Sequence, residues 1–192
     1  MKIFFIVLAF VIPLMIGCSD SSVNPEAADQ TNTITQPNNM QKSWIKLPPN
    51  PGVAADSEYS ASKLIDGEIG GTVELNVNYV RTSQVNVIID AVIEVPAGAY
   101  SGEKNIIMII NSTNGTATFY PSPETFDKPL VFNLRISGVD LNGVDPNTID
   151  YVYLASDGSF SPIKYKGLVI TEGILQVKDA LIPHFSIYGW CR

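Results

Sequence analysis

The chain reads as an all-β protein: an antiparallel β-sandwich preceded by a signal peptide and a disordered tether. Three observations predict this. Apolar and polar residues alternate with period two over residues 72–79, 85–95 and 130–136, as in strands with one buried and one wet face. Glycine, proline and asparagine punctuate the chain at strand-length intervals. No helical period of any length appears. Many short strands bounded by turn residues argue a sandwich rather than a bundle or a doubly wound sheet.

At the start, Lys2 is followed by an apolar run over residues 3–16 and then by Gly17-Cys18. A short positive start, an apolar core and a small residue at the cut describe a secretory signal. The run is short for a membrane span of ~20 residues. Leu14-Met15-Ile16-Gly17-Cys18, with polar Ser19-Asp20-Ser21-Ser22 after it, resembles a bacterial lipoprotein lipobox. It departs from that pattern at Met15-Ile16, where leucine then a small residue is commoner. The resemblance implies cleavage before Cys18, lipidation of that cysteine with palmitate-type chains, and anchorage in the bacterial cell envelope. Each buried methylene contributes about 0.8 kcal/mol, so two or more chains hold stably. Ser19 after the cysteine favours the outer membrane and leaves the periplasmic or external face open. A plain cleaved signal and a retained membrane helix are the alternatives.

Residues 18–43 form the expected linker. Their apolar members are Val23, Ala27, Ala28, Ile34 and Met40, too few to offset chain entropy by burial. Random-coil scaling gives a reach of roughly 25–30 Å. Without residues 1–17, which carry Lys2 and no acid, 11 basic residues face 19 acidic ones, a balance of −8. That argues against nucleic acid and anionic lipid headgroups as partners. Cys18 and Cys191 are the two cysteines. With Cys18 lipidated, no internal disulfide forms, and stability must come from the core of a domain over residues 44–192. Cys191 is expected to be buried by the closing strand, the alternative being chance dimerisation.

Within that domain, Trp44 and Ile45 open the folded part and Pro48-Pro49-Asn50-Pro51-Gly52 ends its first extended piece. Residues 59–65 read as a strand, and Asp66-Gly67 and Gly70-Gly71 as the next turn. Val73, Leu75, Val77 and Tyr79 then mark the buried face of a strand. Residues 85–95 form another, stopped by Pro96, which cannot donate to a ladder. The apolar run 106–110 and residues 116–120 pair as a hairpin across Asn114-Gly115. Leu130, Phe132, Leu134 and Ile136 face inward. Residues 149–155 lead to a turn at Asp157-Gly158. Residues 169–170, 174–177 and 185–190 complete the series.

Three groups of residues resemble the ZU-five domain of ankyrins, netrin receptors and zonula occludens proteins. They are Gly70-Gly71-Thr72-Val73; Val95-Pro96-Ala97-Gly98-Ala99 with Phe119-Tyr120-Pro121, Phe126 and Lys128-Pro129-Leu130; and His184-Phe185-Ser186-Ile187-Tyr188. The resemblance spans residues 59–190. It implies a β-sandwich serving as a non-enzymatic interaction or structural module, without a cofactor. The expected partner is an envelope or extracellular protein, or a glycan.

One constellation carries chemistry. In some relatives His-Phe-Ser cleaves itself: the serine hydroxyl attacks the preceding carbonyl, the histidine takes its proton, and water opens the resulting ester. By that resemblance Ser186 is nucleophile, His184 base and Phe185 the acyl half, and the reaction needs a strained peptide. The structural alternative has Phe185 in the core, with His184 and Ser186 satisfying backbone groups. The tail after the cut is short, so no second domain would be released. His184 is the single histidine, so a zinc site of several His and Cys ligands is not expected. Asp140-Leu141-Asn142-Gly143-Val144-Asp145 has glycine fourth and Tyr151 twelfth, unlike a calcium loop, and reads as a turn. Tyr100, Tyr151 and Tyr153 are the sugar-binding candidates if exposed, although alternation this regular places most such residues in the core.

Overall fold

A computed structural model describes residues 42–47, 58–80, 85–122, 124–171 and 173–192. The signal segment, Cys18, the linker up to residue 41 and the turn at Pro48-Pro49-Asn50-Pro51-Gly52 lie outside the described residues.

Eleven strands occur among the described residues: β1 (Glu58–Asp66), β2 (Gly71–Val80), β3 (Asn86–Val95), β4 (Glu103–Asn111), β5 (Ala117–Tyr120), β6 (Thr125–Ser137), β7 (Asp150–Leu154), β8 (Phe160–Pro162), β9 (Gly167–Thr171), β10 (Ile174–His184) and β11 (Ile187–Cys191). They form two antiparallel sheets, ordered β1-β4-β5-β11-β7-β8 and β2-β3-β6-β10-β9. A single 3₁₀ turn, Pro146–Thr148, is the helical content described. The sheets pack face to face as a β-sandwich, as the alternation predicted.

Period two decides which side chains meet between the sheets. Val87, Ile89, Ala91, Ile93 and Val95 of β3 are buried, and so are Leu130, Phe132, Leu134 and Ile136 of β6. Opposite them stand Ile106, Met108 and Ile110 of β4 and Phe119 of β5. Burial of each large side chain contributes roughly 1.5–3 kcal/mol, so this shared interior is the main stabilising term. The expected β4–β5 hairpin is present, with Ile107 opposite Tyr120 and Ile110 opposite Ala117. Its loop is wider than a two-residue turn. Asn111 N–H donates to Thr116 O at 2.9 Å, and Asn111 Oδ1 accepts from the Thr113 and Asn114 amides. Gly115, at φ 64°, turns the chain back.

Several boundaries differ from the sequence reading: β4 and β6 begin earlier, at Glu103 and Thr125, β8 is a strand that the reading did not contain, and β10 and β11 are displaced. The strand expected at 174–177 continues to His184, because Asp179 turns left-handed (φ 48°) and makes a bulge between Val177 and Ala180. The inward face then resumes at Ala180 and Ile182, so the bulge hides the alternation. The last strand starts at Ile187, not at Phe185: Phe185 and Ser186 are the link by which the chain crosses from one sheet to the other.

β11 is buried on both faces. Tyr188, Gly189, Trp190 and Cys191 are all buried, since residues 42–47 lie alongside the end of the strand. Ser43 and Arg192 exchange N–H···O bonds of 2.9 and 3.0 Å, Ile45 N–H donates to Trp190 O at 3.0 Å, and Leu47 N–H donates to Thr113 O at 2.7 Å. The Trp44 ring meets Phe160 edge-on at 4.4 Å. This segment is a strap across the end of the sheet where the chain also finishes. Cys191 is a free, buried thiol there, and burial raises its pKa.

Candidate functional site

Register places the three resembling groups together. Asp66 stands opposite Glu103, Glu94 opposite Val131, Tyr120 opposite Ile107, and Thr125 opposite His184. The β1–β2 turn, the 96–102 connection, the start of β6 and the His184-Phe185-Ser186 link therefore share one end of the sandwich, the crossing end. The strap and Arg192 occupy the other.

Close backbone approach builds this end. Gly98 N–H donates to Gly67 O at 2.7 Å and Asp127 N–H to Ala99 O at 2.9 Å, while the Lys128 ammonium donates to Ala97 O. A Cβ at Gly67 would lie 2.2 Å from the Tyr100 ring, so only glycine fits. Tyr100 O–H donates to Ile65 O at 3.0 Å. Below these bonds lies an aromatic cluster: Phe185 meets Phe126 edge-on at 4.8 Å and stacks on Phe119 at 6.0 Å, and Phe126 meets Tyr100 at 6.1 Å.

Phe185 is 4 % exposed and its N–H donates to Glu124 O at 2.9 Å. Ser186 Oγ donates to Leu154 O at 3.0 Å, while Ser186 O accepts from Phe119 N–H at 3.4 Å. Serine thus bridges β5 and β7 where β11 has not yet begun. His184 Nδ1 lies 3.4 Å from the Phe185 carbonyl oxygen. The imidazole packs edge-on against Tyr153 at 5.0 Å, and Tyr188 O–H donates to His184 O at 2.6 Å. The serine proton therefore points at a backbone carbonyl, and the histidine nitrogen at the scissile carbonyl rather than at the hydroxyl. No residue of the tripeptide has positive φ or a cis bond, the departures that would mark stored strain. Arranged this way, the three residues close a corner of the fold.

Beside the tripeptide is an open cavity of about 550 Å³. Its lining includes Tyr120, Ser122, Tyr153, Ser156, His184 and Ser186. The Tyr120–Pro121 bond at its rim is cis. Tyr120 is 41 % exposed. The sequence reading quotes it only within Phe119-Tyr120-Pro121 and does not place it at a cavity. Of the expected sugar-binding tyrosines, Tyr100 and Tyr151 are core residues, 5 % and 0 % exposed, and only Tyr153 lines the cavity.

Elsewhere the turn at 140–145 is held by its own carboxylates. Asp140 Oδ1 accepts from Asn142 N–H at 3.2 Å, and Asp145 Oδ1 accepts from Asn147 N–H at 3.0 Å. Among the described residues no three His, Cys, Asp or Glu side chains converge as metal ligands. No helix among them is long and apolar enough to cross a membrane.

No protein-family model, curated protein or solved structure matches the chain.

Proposed function

We propose that this is a bacterial envelope lipoprotein, held to a membrane by lipid on Cys18, whose β-sandwich is a non-enzymatic interaction or structural module of ZU-five type. The observation that carries the anchorage is Gly17-Cys18 at the end of a short apolar run with a polar stretch behind it. The non-enzymatic half is supported by Ser186, whose hydroxyl is committed to Leu154 O. The strap over residues 42–47 is bonded beside Arg192, at the end of the sandwich opposite the cavity.

Mass spectrometry of the envelope-extracted protein tests both halves. An acylated N-terminal Cys18 and one uncut polypeptide are expected, with Cys18→Ala shifting the protein into the soluble fraction. A bare thiol at residue 18 overturns the anchor. Two fragments joining at Phe185–Ser186, abolished by Ser186→Ala, would replace the module with a domain that cleaves itself once.

A further inference from the structure

We infer that the cavity at the crossing end binds an uncharged, hydroxyl-rich ligand, a neutral oligosaccharide, with Tyr120 as its stacking platform. The inference rests on the reading of the sandwich as a binding module and names the ligand class of its site.

Four observations converge. First, the lining contains no Asp, Glu, Lys or Arg, in a chain of net charge −7. A phosphate or carboxylate ligand would enter without the cationic partner that such groups need, and a cationic ligand would find no carboxylate. Second, Tyr120 is the aromatic member of the large exposed apolar side chains among the described residues; the others are Leu64, Ile69, Val80 and Val85. A tyrosine ring offers an apolar face and a polar tip, which suits the C–H face of a pyranose flanked by hydroxyls. Third, Ser122, Ser156 and Tyr153 bring hydroxyls to the same space. Within the described residues these make no hydrogen bond, in contrast to Ser186. Fourth, the frame is preformed. Tyr153 is held between His184 and Tyr188, at 5.0 and 6.0 Å, Tyr120 ends β5, and Ser122 and Ser156 lie on the connections just beyond β5 and β7. Ligand pockets typically enclose roughly 300–1,000 Å³, which the cavity meets with room for a short oligosaccharide.

The competing candidates are weaker. A hollow over the bulge is lined by Glu94, Lys164, Lys166 and Asp179, but Lys166 and Asp179 already pair at 3.0 Å. A second hollow, between Pro129 and Pro183, offers mainly apolar wall.

The test uses the full chain extracted in a non-glycosidic detergent. Its probes are hexasaccharides of β-1,4-glucan, β-1,3-glucan, mannan and N-acetylglucosamine, with hexagalacturonate as the acidic counterpart. Calorimetry is expected to show binding of at least one uncharged probe and none of the acidic one. Tyr120→Ala should weaken that binding roughly tenfold or more, and Tyr120→Phe should retain most of it. Ser156→Trp, which fills the cavity, should abolish it. Ile69→Ala, at the exposed β1–β2 turn, should leave it unchanged. No uncharged probe bound at millimolar concentration overturns the inference. So does preference for hexagalacturonate, binding indifferent to Tyr120→Ala and Ser156→Trp, or capture of a protein through Tyr120 with no glycan bound. Each of these results leaves Cys18 acylation and the uncut chain as they were, so failure here is distinct from failure of the anchored module.

Discussion

Tyr151 and Trp190 meet edge-on at 5.0 Å in the interior, and neither the tyrosine hydroxyl nor the indole Nε1 has a hydrogen-bond partner among the described residues. A buried polar group left unpaired costs on the order of 1–3 kcal/mol. Tyr151→Phe keeps the ring and removes the hydroxyl. It is therefore expected to leave stability unchanged or raise it by about 1 kcal/mol, read as a higher urea midpoint at constant slope. A lower midpoint would mean that the hydroxyl contributes a bond after all. Gly189 is a stricter position. A Cβ there would lie 2.9 Å from Thr116 Cγ2 and 3.1 Å from the Trp44 ring, so even one methyl must displace the Thr116 side chain and press on the Trp44 ring of the strap. Gly189→Ala is expected to cost about 1–3 kcal/mol. Trp44 fluorescence should shift toward the solvent-exposed value; unchanged emission at full stability would contradict the tight approach.

At the scale of the element, the strap ties residues 42–47 to the last strand. Its backbone completes the edge of β11 beyond the reach of the four-residue β5, and Ile45 and Leu47 are 5 % and 7 % exposed. Ile45→Ala should cost about 2–5 kcal/mol, the range for a buried isoleucine whose cavity stays open. Amide exchange should quicken at Trp190, Cys191 and Arg192 before the rest of the sandwich; uniform quickening would show that the strap and β11 do not open together. Strands with one wet face were the legible ones. β2, β3 and β6 announce themselves because Glu74, Asn76 and Asn78, or Asn133 and Arg135, separate the buried residues. β11 gave a run without alternation, since a segment distant in sequence covers its outer face. β10 was cut short because Asp179 inserts one residue out of phase. Both failures have the same cause: local periodicity does not register a distant covering segment or a bulge. The corner role of Ser186 depends on Leu154, 32 residues earlier, and the cavity on strand ends from separate parts of the chain. The tripeptide and Tyr153 were visible beforehand.

Across the whole molecule, ionisation links the interior to alkaline pH through tyrosine and the buried Cys191 thiol rather than through buried carboxylates. Burial pushes the Tyr151 hydroxyl well above its ordinary value of 10.0, with the neighbouring Tyr188 adding to the effect. Burial likewise raises Tyr188, assisted by Tyr153. A raised pKa means that the folded state holds these protons after the unfolded chain would have released them. The stabilisation is complete below pH 10.0 and is lost as pH rises toward the folded values. Tyr151 and Tyr188 sit on the adjacent strands β7 and β11, so ionising either places charge in the interior of one sheet, and the loss should be cooperative. Circular dichroism followed against pH is expected to show a flat baseline to about pH 10 and then a single unfolding transition. Tyrosinate absorbance at the buried positions should appear with that transition, not before it. Tyr151→Phe removes one of the two titrations and should move the transition to higher pH. An alkaline midpoint that ignores Tyr151→Phe, or tyrosinate that forms while the sheets remain intact, would place the pH sensitivity outside this pair. Acid has a weaker hold on the interior. Asp179 is held below the usual carboxylate range mainly by its bond to Lys166, with Asn133 assisting, and this contribution is present above the ordinary carboxylate pKa and lost as pH falls through the lowered one. That pair is on the surface of the bulge, where solvent screens it, so Asp179→Asn should affect the acid limb far less than Tyr151→Phe affects the alkaline one.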